Sequence, residues 1–270
     1  MKKMLALLFA MLLAFSVCVP AAFAADADSD LAYVQEKGTL VVGITDFEPM
    51  DYQNEKGEWI GFDADLARVF AEELGVEVEF AEIDWDNKIL ELNGKSIDCV
   101  WNGMTLTDEV MSATSCSNAY MRNAQVIVVR SADAEKYADV ESMAELSFAV
   151  EAGSAGEAAV AELGYTANPV STQANALLEV KAGTSDACVI DLLMAVAMTG
   201  EGTSYSDLCY TFSLNEEQYG VAFRQDSDLV ETFNAFLLAQ FEAGALDELA
   251  ETYGLAGSVV EQEAPETEAA

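Results

Sequence analysis

Apolar residues along this chain fall into short strand-like runs separated by segments in which they recur at helical spacing. Thr39–Thr45 (TLVVGIT) reads as a first strand, ending in a loop, Asp46 to Met50, that carries the ring of Phe47. Asn54–Gly57 is a hairpin-like turn, and extended structure resumes at Trp59–Phe62. From Asp63 to Leu74, Leu66, Val69, Phe70 and Leu74 share one face of a predicted helix that Gly75 closes. Val76, Val78 and Phe80 alternate with acids, as in a strand with one wet side. Asp84-Trp85-Asp86 opens a short helix to Leu92, and Lys95–Trp101 is the next strand. Asn102-Gly103 then breaks the run. Thr107 is placed to cap a helix with Asp108 and Glu109 in its first turn. A strand that ends in Gly and hydroxyl residues before a helix N-terminus leaves backbone N–H groups for a small anionic or polar ligand.

Gln125–Arg130 is a new strand, entered as the chain crosses into a second lobe. The pattern then repeats. Val140–Leu146 reads as a short helix, Ser147–Val150 as a strand, and Gly153-Ser154-Ala155-Gly156 turns into a helix through Leu163. Tyr165–Val170 is extended. A helix from Thr172 to Ala182 places Ala174, Leu177 and Leu178 inside. Asp186–Ile190 is a strand ending at Asp191, with a helix after it to about Thr199. Leu208–Leu214 and Tyr219–Arg224 are strands. Ser227–Tyr253 reads as two helices with Leu229, Phe233, Phe236 and Leu237 inward. Alternation of strand and helix predicts a mainly parallel α/β layer structure.

Composition narrows the chemistry. The 270 residues allow one or two domains, and 52% hydrophobic content excludes bulk disorder. The formal charge of −36 argues against nucleic acid as a partner, since phosphate contacts need Lys and Arg. The chain has no His, which removes the commonest metal ligand and the commonest general base. Residues 1–24 have the form of a removable signal peptide: Lys2 and Lys3, an apolar run from Met4 to Val17, and Ala22-Phe23-Ala24 as cleavage site. Its loss removes two lysines and no acid, taking the charge to −38. Cys18 admits a second route, lipidation, although Val17 is larger than the residue usual before a lipidated Cys. Cys99, Cys116, Cys188 and Cys209 remain, an even number that permits two disulfides. Cys99 and Cys188 lie in apolar runs that suit buried thiols. No Cys or His spacing suggests a metal site, and no cofactor is expected.

The order GITDFEPMDY, WIGFDADLARVFAEELG, DWDNKI, GKSIDCVWNGMTLT, AQVIVV, FAVEAGSAGE, GTSDACVID and EEQYGVAFR resembles the extracellular solute-binding proteins, family 3, of amino-acid ABC importers. The likeness spans about residues 38–254. It implies an α/β, two-lobed periplasmic-binding-protein type II-like fold with two hinge strands. The linker would be 25–30, the first lobe 31–122 plus 219–256, the second lobe 123–218, and 257–270 an acidic disordered tail. It further implies a non-catalytic protein that acts as a monomer, captures a polar or cationic amino acid or related amine, and delivers it to a membrane permease from the periplasm or cell surface.

Positions matching the family's site are Asp46, Phe47, Trp85, Asn102, Gly103, Thr105, Ser154 and Asp191. Phe47 and Trp85 would clamp the ligand with flat rings. Asn102, Gly103 and Thr105 would receive its carboxylate through backbone and hydroxyl donors. Ser154 would donate from the other lobe, and Asp191 would pair with its ammonium. Each has a plainer alternative: core packing for the rings, a turn for Thr105 and Ser154, a helix N-cap for Asp191. One departure stands out. Where the family has an Arg that forks the α-carboxylate, this chain has Val110, so a bidentate charge-assisted pair is lost; Arg122, near the crossing, is the available substitute. With Asp46, Asp84 and Asp191 around it, the cleft is expected to be acidic. An exported enzyme of dehydratase type on the same scaffold would have to use Asp191 and Glu151 as acid and base. A sensor domain would be fused to a signalling module, whereas this chain ends in a polar tail.

Overall fold

The computed structural model describes residues 29–137 and 139–263. The signal segment with Cys18, and the last seven residues of the tail, lie outside them. The first lobe begins with helix α1 (Asp30–Lys37) and strand β1 (Thr39–Ile44), followed by a hairpin of β2 (Tyr52–Gln53) and β3 (Trp59–Ile60). Helix α2 (Phe62–Leu74), β4 (Glu77–Glu82), α3 (Lys88–Asn93), β5 (Cys99–Thr105), α4 (Asp108–Ala113) and the short strands β6 (Ser115–Cys116) and β7 (Met121–Asn123) complete its first pass.

The second lobe contains β8 (Gln125–Arg130), β9 (Phe148–Glu151), α5 (Ala155–Glu162), β10 (Ala167–Val170), α6 (Gln173–Ala182), β11 (Ala187–Asp191), α7 (Leu192–Met198) and β12 (Leu208–Ser213). The chain returns through β13 (Glu217–Phe223) and ends in α8 (Leu229–Glu242) and α9 (Ala245–Thr252).

Two sheets result. The first has the order β4-β1-β5-β13-β6, with β7 also on β13; the second has the order β10-β9-β11-β8-β12. The βαβ units pair in parallel, and β13, β8 and β12 pair antiparallel to their neighbours. The chain passes between sheets at Ala124 and again at residues 214–216. The two crossings are tied together, Leu214 N donating to the Gln125 carbonyl (2.7 Å) and Gln125 N to Asn215 Oδ1 (2.7 Å). This is the two-lobed α/β fold with two hinge strands.

The first core is aromatic. Phe233 of α8 meets Phe70 of α2 edge-on at 5.0 Å and Trp101 of β5 at 4.8 Å. The inward positions Leu229, Phe233, Phe236 and Leu237 are all buried. Arg224, itself buried, joins three segments: its Nε donates to Asp30 at 2.9 Å, one Nη to the Ile97 carbonyl at 2.8 Å, and the other to Asp98 at 3.4 Å.

Several expectations are corrected. Asn102-Gly103 does not break its strand; β5 continues to Thr105, with Gly103 at φ +54° and a register shift against β13 between Gly220 and Ala222. A bulge thus stands where a turn was expected. Asp30 is a buried helical residue paired with Arg224, not linker. Val69 and Leu178 are exposed, because small residues such as Ala67 and Ala176 fill the packed stripes instead. Val140–Leu146 is reduced to a single 3₁₀ turn at Glu141–Met143. The tail is not disordered over residues 257–263: Arg122 N donates to Ser258 O (2.7 Å), Val260 N to Tyr120 O (2.9 Å), and Val259 is buried. Two valines give this acidic stretch an apolar footing beside β7. Among the described residues Cys99, Cys116, Cys188 and Cys209 are free thiols, Cys99 and Cys188 fully buried. Among the described residues no helix is long and apolar enough to cross a membrane.

Candidate functional site

A cleft of about 470 Å³ lies between the lobes and is lined from both. Phe47, Trp85, Asn102, Gly103, Thr105, Ser154 and Asp191 are all on its walls; Asp46 is exposed and does not line it. Phe47 is held by a tight loop, its N–H bonded to the Asp51 carbonyl at 2.7 Å, and its ring meets Tyr219 edge-on at 6.3 Å. It lies over Gly103, where a Cβ would come within 2.5 Å of the ring. Trp85 sits at the head of the 3₁₀ turn before α3, with the Lys88 ammonium 5.1 Å from its ring centre.

Asp191 ends β11 and begins α7, but its side chain makes no cap bond. Its carboxylate accepts from Tyr219 Oη (2.7 Å), Gln125 Nε2 (3.1 Å), Asn123 Nδ2 and Gln173 Nε2. Beside it, Glu217 accepts from Thr105 Oγ1 (2.8 Å), Gln125 Nε2 (2.8 Å) and Asn123 Nδ2 (2.6 Å). Burial, then the Glu217 carboxylate, raises Asp191 well above the usual carboxylate range, against the pull of Tyr219 and Gln173. These partners come from β5, β7, β8, β13 and α6. The pair therefore sits at the crossings, where lobe movement is felt.

The segment expected to supply donors has most of them engaged. Asn102 bonds both the N–H (2.9 Å) and the carbonyl (3.1 Å) of Thr45, and Asp51 (2.8 Å). Gly103 N donates to Asp63 at 2.6 Å, and Tyr120 Oη to the same oxygen at 2.8 Å. Burial lifts Asp63 to about 7. Ser154 caps α5, its oxygen accepting from Glu157 N at 3.1 Å. Val110 faces the cleft from α4 and packs with Trp85, Leu92, Val100 and Met104. Arg122 points away, donating to the Val259 carbonyl at 2.9 Å, and so does not replace the missing Arg.

Among the lining residues not foreseen as ligand contacts are Glu217, Gln173 and Lys88. Glu151, named above as an enzyme's acid or base and part of the Phe148–Glu157 stretch that the family likeness assigns to second-lobe contacts, lines the cleft as well. It is 2% exposed, its Oε1 has no partner, and burial pushes it up to about 8. Lys88, the sole cation on the walls among the described residues, donates to the carbonyls of Trp85 (3.2 Å) and Gly153 (2.8 Å), linking the lobes; burial lowers its pKa while Glu109 and Glu151 raise it. Among the described residues no ion pair reaches Asp191, Glu217 or Glu151. No cluster of acids among them has the arrangement of a metal site.

Two α/β lobes with one polar cleft between them define a bilobed binding protein. The chain belongs to the bacterial extracellular solute-binding proteins, family 3, whose model matches residues 40–256. It is 28% identical over 258 residues to the arginine-binding extracellular protein ArtP of Bacillus subtilis, covering 92% of this chain and 96% of that one. Among solved structures, a mutant of ArgBP from T. maritima superposes with a TM-score of 0.78 at 33% identity, covering 83% of this chain and 99% of that one. The ancestral amino acid-binding protein AncCDT-1, described as a precursor of cyclohexadienyl dehydratase, gives 0.76 at 31% identity with the same coverages.

Proposed function

We propose that this protein is the non-catalytic substrate-binding component of an ABC importer. It captures a polar or cationic amino acid or related amine between its lobes and delivers it to a membrane permease. The observation that carries this is the Asp191–Glu217 pair, set among neutral donors at the two chain crossings and lacking any protein cation. A ligand ammonium placed there bridges both lobes and stabilises the closed state over the open one. Similarity to binding proteins along most of the chain supports the same reading. The protein works as a monomer outside the cytoplasm, with no nucleic-acid partner. Its signal is removed after Ala24, with a lipid anchor at Cys18 as the alternative route.

A dehydratase-type enzyme is the second reading, resting on the buried, unpartnered Glu151 with its raised pKa. Titration calorimetry over the standard amino acids and simple polyamines, with turnover assays on whatever binds, separates the two. Saturable one-to-one binding of a basic or neutral polar compound without turnover is expected. Tightest binding of glutamate, or catalytic consumption of the ligand, would remove the reading.

A further inference from the structure

We propose that the cleft is built for a ligand with a cationic nitrogen at each end and no carboxylate, a diamine or guanidino-amine, with Asp191 and Glu217 holding one end and Glu151 the other. This rests on the binding-protein reading and names its ligand class.

The acceptors come first. Asp191 and Glu217 share Asn123 Nδ2 and Gln125 Nε2, and every donor they receive is neutral. Glu151, at the end of β9, is almost fully buried with Oε1 unpartnered, facing Thr45 and Lys88 of the first lobe and Gln173 of its own. Gln173 touches both poles, since it also donates to Asp191. Burying carboxylates without an opposite charge is costly, and a cation from the ligand removes that cost at each pole. The upward displacement of Asp191 and of Glu151 is the signature of groups in that position.

The donors point the same way. A ligand carboxylate needs N–H or O–H groups, yet Gly103 N is bonded to Asp63, Thr105 Oγ1 to Glu217, and Gly153 N to Glu157 (2.8 Å). The Lys88 ammonium is engaged by two carbonyls and lies among acids. Val110 offers only methyl groups. A carboxylate entering this cleft would find these particular donors occupied while facing Glu109, Glu151, Asp191 and Glu217 on the walls.

The test is calorimetry on the purified protein with pairs that differ only in the carboxylate: L-arginine and agmatine, L-lysine and cadaverine, L-ornithine and putrescine. The amine should bind at least about tenfold tighter than its amino acid. Glu151→Gln should weaken the preferred amine by a similar factor while the variant still melts in one cooperative transition. If the amino acid of each pair binds tighter, the inference is overturned and the binding-protein reading stands. If agmatine binds Glu151→Gln as tightly as wild type, the second pole is refuted. If neither amino acids nor amines bind, both the inference and the reading beneath it fall.

Discussion

Asp191 stands at the N-cap of α7 yet turns its carboxylate to the cleft. Replacing it by Ala should therefore cost binding rather than helix stability. A hydrogen bond to a charged group is worth about 1.5–3 kcal/mol, so affinity for a cationic ligand should fall by roughly ten- to a hundredfold, measurable by calorimetry. A second residue-scale prediction concerns pH. Asp63 and Glu151 are held near 7 and 8 by burial, above their ordinary 3.8 and 4.5. Asp63 is flanked by Gly103 N, Tyr120, Trp101 and Asp51, and Glu151 by Thr45, Gln173, Lys88 and Asp84. The folded state thus holds more protons than the unfolded chain between about pH 4 and 8, and stability falls as pH rises through that window. The melting temperature of unliganded protein should decline from pH 5 to pH 8, and Glu151→Gln should flatten part of the decline; a rising profile would contradict it. Asp191 and the two rings were placed at the site by the family likeness, each close to the end of a strand that the hydrophobic pattern located. Glu217 and Gln173 were not. Glu217 meets Thr105 across 112 positions of chain, a distance over which local pattern carries no information.

At the scale of elements, hydrophobic spacing located most strands and helices but not α1, a short helix whose buried residues are only Asp30 and Val34. Its place comes from distant charge pairing through Asp30 and Arg224. Spacing also overcounted the packed stripes of α2 and α6, since alanines cover surface that a pattern of large residues assigns to Val69 and Leu178. Helix α8 is the opposite case, where a run of apolar residues read correctly. Phe233 sits against Phe70, Trp101 and Phe223, so Phe233→Ala should lower unfolding free energy by about 3–5 kcal/mol in urea titrations. The C-terminal segment yields another test. Composition alone suggested disorder beyond residue 256, but Ser258 to Val260 bond to Tyr120 and Arg122 next to β7. Removing residues 258–270 should lower the melting temperature by several degrees; no change would mean this docking contributes nothing.

For the whole molecule, function depends on the lobes meeting and parting, and one glycine marks where they meet. Gly153 has φ +70°, and a Cβ built on it would lie 2.8 Å from the Cα of Asp86 in the other lobe. Its carbonyl accepts from Lys88, also of the other lobe. Family likeness placed Gly153 in a turn near the site, but nothing in the sequence shows that this turn closes on Asp86, because the two segments approach only when the lobes do. With the lobes apart, Gly153→Ala carries only the left-handed backbone penalty, about 1–2 kcal/mol. With the lobes together it also meets backbone that has no flexible end to move aside. The substitution therefore opposes the closed state more than it opposes folding. Ligand affinity should drop by about tenfold or more, since bound states are closed states, while the unliganded protein melts within a few degrees of wild type. Small-angle scattering should show wild type contracting on addition of ligand and Gly153→Ala contracting less at equal saturation. Equal contraction and unchanged affinity would show that closure does not pass through this contact.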